Sequence, residues 1–229
     1  MFLQRKDFMN LKLQFNLSFK FYLALFLTLS IIGISTHIMG GSFLSLFSAF
    51  CAVLYVFFAG AGKTVCFVFG ILYSISYAYI AYELKLYGDV MLNLFYLPIN
   101  AYGIYNWKNN QNKEKTKIII TKLNNTQRLL YAFIVAISTI IYAYVLQNMG
   151  SSFIYLNSFA VMGQLLAFYM QVKRYMESYF LVSLANISSL IIWFLIFEQS
   201  KESIAQLLNT LVFFIIGIYY FFVWKKQAQ

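Results

Sequence analysis

The stretch YFLVSLANISSLIIWFLIF, residues 179–197, has no charged side chain along its 19 residues. Crossing about 30 Å of hydrocarbon takes roughly 20 residues of α-helix, so the stretch is long enough to span a bilayer. Seven more stretches of this kind occur in the chain. The eight apolar segments, with approximate edges, are 21–38, 42–60, 64–82, 90–107, 129–147, 152–172, 179–197 and 203–224. They predict an all-α membrane protein with eight transmembrane helices.

The composition supports this interpretation. Of the 229 residues, 62% are hydrophobic and 10% are charged, whereas soluble domains carry about 25% charged residues. A water-soluble fold is therefore excluded. The net charge of +10 could suggest binding to nucleic acid. The basic residues lie in the loops between apolar segments, however, so the lipid bilayer and not nucleic acid is the expected partner.

The basic residues also predict the orientation. With eight spans, alternate loops lie on the same side of the membrane, and 15 of the 17 Lys and Arg residues fall on one side. These are Arg5, Lys6, Lys12, Lys20, Lys63, Lys108, Lys113, Lys115, Lys117, Lys122, Arg128, Lys173, Arg174, Lys225 and Lys226. Only Lys85 and Lys201 are left for the other side. Because cytoplasmic loops are rich in Lys and Arg, both termini are expected in the cytoplasm.

A weak internal repeat indicates how the helices are organised. Glu83 is followed by Asn93 and then by Trp107, and Glu198 is followed by Asn209 and Trp224 at nearly the same spacing. The two copies run in the same direction, which requires an odd number of helices between them. We expect two parallel three-helix repeats joined by one linker helix, with an extra helix in front. The predicted divisions are 1–40, 41–108, 109–128 (a basic cytoplasmic linker), 129–150 (the linker helix) and 151–229.

Several segments carry uncharged polar or aromatic side chains at spacings of three and four, which place them on one helical face. Inside a membrane such faces meet other helices or a cavity. The predicted cavity residues are Asn186, Gln164, Asn93, Tyr73, Tyr77, Asn157, Trp193, Asn209 and Asn100. The alternative is that these amides only hold helices together. The other two Trp residues, Trp107 and Trp224, each precede a Lys and are typical of interfacial anchors.

The apolar segments contain no Lys, Arg, Asp or Glu, and the single His, His37, ends the first segment near the outer surface, which limits the mechanism. Ion-coupled transporters usually keep acidic residues or His inside the membrane, and here Asp89 and the Glu residues are assigned to loops. Cys51 and Cys66 lie in apolar segments without metal-ligand spacing, and no phosphate-binding or hydrolase motif occurs. We therefore expect no cofactor, no metal and no enzymatic activity. Facilitated diffusion of a small solute is the predicted function.

The sequence resembles the PnuC family of bacterial vitamin transporters over about residues 42–226. The resemblance is carried by LKLYGDVMLNLFYLPINAYGIYNWK, residues 84–108, and by NSFAVMGQLLAFYMQVKRYMES, residues 157–178. It implies a SWEET-like 3+1+3 core and a homotrimer in the bacterial inner membrane. It also implies uptake of nicotinamide riboside for NAD biosynthesis, with a cytoplasmic kinase trapping the solute.

The family motif Trp-x-x-x-Asn on the seventh helix is only partly present. In the family the Trp stacks on the pyridinium ring and the Asn hydrogen-bonds the ligand. Here Asn186 matches the Asn, but Val182 stands at the position of the Trp. Thiamine, which relatives transport, is therefore kept as an alternative substrate. A membrane scaffold or binding protein without transport activity is the alternative from another class.

Overall fold

Eight long α-helices make up most of the computed structural model, which describes residues 14–83, 87–111 and 118–228. In chain order they are α1 Phe19–Ile38, α2 Phe43–Gly60, α3 Cys66–Glu83, α4 Tyr87–Asn109, α5 Asn125–Asn148, α6 Ile154–Val172, α7 Glu177–Gln199 and α8 Ile204–Gln227. A 3-10 turn, Lys201–Ser203, precedes α8. Each helix overlaps one predicted apolar segment, so the all-helical prediction is confirmed. Arg5, Lys6, Lys12, Lys85, Lys113, Lys115 and Lys117, used in the charge count, lie outside the described residues.

Six of the described helices are long and apolar enough to cross a membrane, namely α1, α2, α3, α5, α7 and α8 with its preceding turn. The helices α4 and α6 have 23 and 19 residues, so composition and not length separates them from the others. Their polar residues include Asn93 and Asn100 on α4 and Asn157 and Gln164 on α6, all of which face the interior of the bundle. These two helices thus supply interior amides, as do α7 with Asn186 and α8 with Asn209.

Large apolar side chains cover the outside of the bundle. Phe43 is 83% exposed, Phe19 79%, Leu129 74% and Ile140 71%. A water-soluble protein rarely leaves so much apolar surface in contact with solvent. This surface is suited to lipid, in agreement with the membrane assignment.

The helices pack as two groups of three. In the first group α2, α3 and α4 contact one another in chain order, and in the second α6, α7 and α8 do the same. The groups meet where α2 contacts α8 and where α4 contacts α6, so the first helix of each group contacts the last helix of the other. The helix α5 packs on α6, and α1 packs on α2 and α8.

Trp107 and Trp224 connect the two groups at the end of the bundle where α4 and α8 finish. Both side chains are fully buried, with ring centroids 6.2 Å apart. The Nε1 of Trp107 donates to the carbonyl of Val172 at 3.1 Å, and the Nε1 of Trp224 donates to the carbonyl of Gly60 at 3.0 Å. The interpretation of both residues as interfacial anchors is therefore wrong. Each Trp instead satisfies a carbonyl at the end of a helix in the other group.

The described part of the linker between α4 and α5 is attached to the turn after α6. The backbone N–H of Thr121 donates to the carbonyl of Arg174, and Met176 donates back to Thr121, both at 3.0 Å. Arg128 and Glu177 form a salt bridge at 2.8 Å. Because Asn124 and Gln127 form a capping box, α5 begins four residues earlier than the predicted segment at 129.

We expect Trp224→Phe to lower the thermal stability of the purified protein in detergent. The substitution keeps an aromatic ring but removes the N–H, which leaves the buried Gly60 carbonyl without this donor at a cost of about 1–3 kcal/mol. Thermal unfolding followed by intrinsic fluorescence or circular dichroism measures the change. Tyr219→Phe removes an exposed hydroxyl one turn away and serves as the control. Equal melting temperatures for the two variants would contradict the role given to Trp224.

Candidate functional site

Two adjoining cavities lie between the two helix groups. One, of about 90 Å³, lies towards the Trp107–Trp224 pair and is called the Gln171 cavity. The other, of about 60 Å³, lies towards the opposite end of the bundle and is called the Asp89 cavity. The side chains that line both cavities, and so separate them, are Tyr73, Tyr96, Gln164, Asn186 and Phe213.

Amide groups from α6 and α7 meet between the cavities. The Nε2 of Gln164 donates to the Oδ1 of Asn186 at 3.2 Å and to the Oγ of Ser189 at 2.9 Å. Asn186 is 1% exposed, and its Nδ2 has no hydrogen-bond partner. These contacts hold the Asn186 side chain in place while its N–H donors stay available to a bound molecule.

Other buried polar atoms around the cavities also lack partners. The Oδ1 atoms of Asn93 and Asn209, in the Asp89 cavity, accept no hydrogen bond, and neither does the Oδ1 of Asn100 in the Gln171 cavity. Their side chains are 1–2% exposed. Folded proteins satisfy the large majority of buried polar atoms, so a cluster of unsatisfied ones around a cavity indicates a place where a polar ligand or water completes them. The Oγ atoms of Ser74 and Ser178, which line the Gln171 cavity, also lack partners, so the cavities offer three amide oxygens, one amide donor and two hydroxyls.

Aromatic rings form one wall of the Asp89 cavity. The Tyr73 and Tyr77 rings lie 5.2 Å apart, and Tyr77 lies 6.5 Å from Trp193 on α7. Tyr73 also contacts Phe213 at 6.4 Å in an edge-to-face arrangement. Rings from α3, α7 and α8 thus converge beside the unsatisfied amides. Such a wall suits a flat ring, and it can also attract a positive charge.

The structure brings together all the residues predicted from the helical faces. Asn93, Tyr77, Asn157, Trp193 and Asn209 line the Asp89 cavity. Asn100 lines the Gln171 cavity, and Tyr73, Gln164 and Asn186 line both. Val182, at the position of the family Trp, forms part of the wall of the Gln171 cavity. Their assignment as substrate-binding residues remains a prediction.

The sequence reasoning missed a hydrogen-bonded layer below the Gln171 cavity. The Tyr55 hydroxyl donates to the Oε1 of Gln171, whose Nε2 donates to the Tyr179 hydroxyl at 2.9 Å. Tyr179 in turn packs edge-to-face on Trp224 with ring centroids 4.8 Å apart. This layer and the two Trp rings close the cavity at that end. Tyr55 was not recognised from the sequence because its helix α2 carries no Asn or Gln and no second Tyr.

Asp89 corrects the expectation that no ionisable side chain enters the membrane domain. It belongs to the first turn of α4 and not to a loop, and its side chain lines the Asp89 cavity. It precedes Asn93 by four residues, and the Nδ2 of Asn93 donates to the Asp89 carbonyl at 2.8 Å. That spacing of four was the sequence signal that could have placed both side chains on one face.

Close backbone contacts fix the positions of the amides. A Cβ atom on Gly70 would lie 2.3 Å from the Oδ1 of Asn100, and one on Gly88 would lie 2.9 Å from the Tyr142 hydroxyl on α5. Glycine at position 70 lets α3 and α4 come close enough for Asn100 to reach the Gln171 cavity. At the mouth of the Asp89 cavity Phe153 adopts a left-handed backbone conformation with φ 54.

Within the described ranges, no group of three or more His, Cys, Asp and Glu side chains could hold a metal ion. Cys51 and Cys66 are buried and unpaired with each other. The cavities therefore offer amides, hydroxyls, aromatic rings and one carboxyl group. This set is suited to recognising a small polar ring compound.

Comparison with known proteins gives the same picture. The family model described as "Nicotinamide mononucleotide transporter" matches residues 42–226. A nicotinamide riboside transporter PnuC from Neisseria mucosa is 28% identical over 194 residues, covering 82% of this chain and 74% of that protein. A protein of the same description from Haemophilus influenzae is 25% identical over 191 residues, covering 82% and 81%.

A solved structure is similar over nearly the whole chain. It is described as the crystal structure of the vitamin B3 transporter PnuC, and it superposes with a TM-score of 0.84 at 26% sequence identity. The match covers 95% of this chain and 96% of the other. The family match spans most of the sequence, and the fold agrees with it. The chain therefore belongs to the PnuC family, and it is a membrane transporter and not an enzyme.

Proposed function

We propose that this transporter carries nicotinamide riboside, or a closely similar positively charged riboside, by facilitated diffusion. The observation that carries the proposal is the set of unsatisfied buried atoms around the two cavities. Asn93, Asn100 and Asn209 offer unsatisfied acceptor oxygens, and Asn186 offers an unsatisfied donor. A riboside has several hydroxyl donors for such acceptors and a flat base for the Tyr73 and Tyr77 rings. The relatives named above are nicotinamide riboside transporters.

The side chains of the cavities bear on whether transport is coupled to proton movement. Apart from Asp89, no acidic, basic or His side chain lines either cavity among the described residues. A chain of proton-carrying groups through the membrane is thus not formed by these residues, which supports uniport. Net uptake for NAD biosynthesis would then depend on a cytoplasmic kinase that phosphorylates the solute after entry.

We extend the proposal to the architecture. The contacts of α2 with α8 and of α4 with α6 support a SWEET-like 3+1+3 core, since a two-fold axis between parallel repeats exchanges these two contacts. The proposed units are 41–108 and 151–229, joined by the linker 109–128 and the helix 129–150, with 1–40 in front. All eight helices would cross the bacterial inner membrane. Both termini would lie in the cytoplasm, and three copies would associate.

Thiamine is the second candidate substrate, because Val182 removes the aromatic side chain that the family uses for pyridinium stacking. Thiamine is also a positively charged heteroaromatic compound, but its donors are one hydroxyl and one amino group, whereas the riboside has three hydroxyls and a carboxamide. The unsatisfied acceptor oxygens around the cavities favour the riboside, which has more donors. Competition binding of both vitamins to detergent-purified protein separates these substrates. If neither vitamin shows saturable binding, the scaffold alternative is supported.

We expect Asn186→Ala to reduce uptake of nicotinamide riboside into proteoliposomes by about tenfold or more. The change removes the unsatisfied Nδ2 donor and also the acceptor of the Gln164 bond, a loss of about 1–3 kcal/mol. Ser188→Ala is the control, because Ser188 is buried on the same helix but lines neither cavity. Normal uptake by folded Asn186→Ala protein would refute the proposed site.

Val182→Trp tests where the pyridinium ring lies. Val182 lines the Gln171 cavity, so an added indole there would stack on a ring bound in that cavity. We expect affinity for nicotinamide riboside to rise by about tenfold, which corresponds to a cation–π contact of about 1–2 kcal/mol. Isothermal titration calorimetry measures the change. Leu184→Trp, at an exposed position two residues along α7, is the control. A weaker affinity in folded Val182→Trp protein would place the pyridinium ring outside this cavity.

A further inference from the structure

Asp89 is the only acidic residue that lines either cavity among the described residues. The other described acidic residues lie elsewhere. Glu177 forms a salt bridge with Arg128, and Glu83, Glu198 and Glu202 are exposed at helix ends. Asp89 is therefore the one described acidic residue that faces the interior of the bundle. The chain as a whole has few acidic residues, 7 against 17 basic ones.

Among the residues that the structure describes, the Asp89 carboxyl group has no cationic partner. In the described ranges one salt bridge occurs, between Arg128 and Glu177, and no Lys, Arg or His lines the Asp89 cavity. The neighbours of Asp89 in the cavity are Tyr73, Tyr77, Tyr96, Asn93 and Asn157, all uncharged. A carboxylate removed from water without a partner is costly, and an opposite charge nearby relieves that cost.

The surroundings of Asp89 provide the other parts of a cation site. The paired rings of Tyr73 and Tyr77 lie in the same cavity, as do the unsatisfied oxygens of Asn93 and Asn209. Both Asn side chains are 2% exposed. Aromatic faces, carbonyl oxygens and a carboxylate all present negative charge or negative potential to a bound molecule. The carboxylate, the rings and the two unsatisfied oxygens together favour a cation over an anion, although the unsatisfied Nδ2 of Asn186 also lines this cavity.

We propose that Asp89 is the counter-charge through which this transporter selects positively charged ring solutes and discriminates against neutral ones of the same shape. This inference rests on the proposed function, because it specifies which charge the transported riboside must carry. Asp89 lies at the end of the cavity that is farther from the Trp107–Trp224 pair. It would therefore contribute to equilibrium binding of a solute whose ring reaches the Asp89 cavity.

The test compares two ligands that differ only in charge. Nicotinamide riboside carries a ring N⁺, and benzamide riboside has a carbon atom in its place and is neutral. Titration calorimetry with detergent-purified protein gives both dissociation constants. We expect the unmodified protein to bind the cation at least about tenfold more tightly than the neutral analogue. In Asp89→Asn the affinities should come within about threefold of each other.

The ratio of the two affinities separates the contribution of Asp89 from that of the aromatic rings. If Tyr73 and Tyr77 alone caused the preference for the cation, that preference would persist in Asp89→Asn. Glu198→Gln, which removes an exposed carboxylate near the same end of the bundle, should leave the ratio unchanged. Asp89→Ser provides the same test if the Asn variant does not fold.

Two results would overturn the inference. One is equal affinity of the unmodified protein for the cation and the neutral analogue. The other is an unchanged ratio in a folded Asp89 variant. Failure of the proposed function looks different, because the unmodified protein would then bind neither riboside.

Discussion

The two helix groups of this transporter depend on one reciprocal interaction at the closed end of the bundle. Trp107, at the end of α4, donates to the carbonyl of Val172, and Trp224, at the end of α8, donates to the carbonyl of Gly60. Each indole thus donates to a carbonyl at the end of a helix, where no backbone N–H of that helix is available. Both indoles are fully buried, so water does not reach these bonds, and the pair fixes where the last helix of one group meets the first helix of the other.

The same constraint explains the cavities. Once the Trp pair and the Tyr55–Gln171–Tyr179 layer close one end, the polar faces of α4, α6, α7 and α8 point into the space above them. Some amides there pair with each other, as Gln164 does with Asn186. Others do not, because the Nδ2 atoms of Asn93 and Asn100 donate to carbonyls of their own helix and leave the Oδ1 atoms without a donor. We propose that these unsatisfied atoms recognise a polar solute.

Helical spacing predicted the candidate site well, because three- and four-residue steps show which polar side chains share a face. This spacing identified Asn186 and Trp193 on α7, and it identified Asn157 and Gln164 on α6. Tyr55, whose helix carries no Asn, Gln or second Tyr, was not found. Trp107 and Trp224 were misassigned because a Trp before a Lys is equally consistent with an interfacial anchor and with a buried contact, and the sequence does not record which helix lies opposite.

By itself the sequence determined an all-helical membrane protein with eight helical segments, and it identified the amide-bearing faces, because hydropathy and helical period are local properties of the chain. The tertiary structure alone decided that these faces meet at two cavities, that the Trp residues join the two groups and that Asp89 lies beside Tyr73 and Tyr77. Those features depend on which helices are neighbours. Asp89 could be assigned to a loop from its charge, but its place in the first turn of α4 turns it towards the cavity.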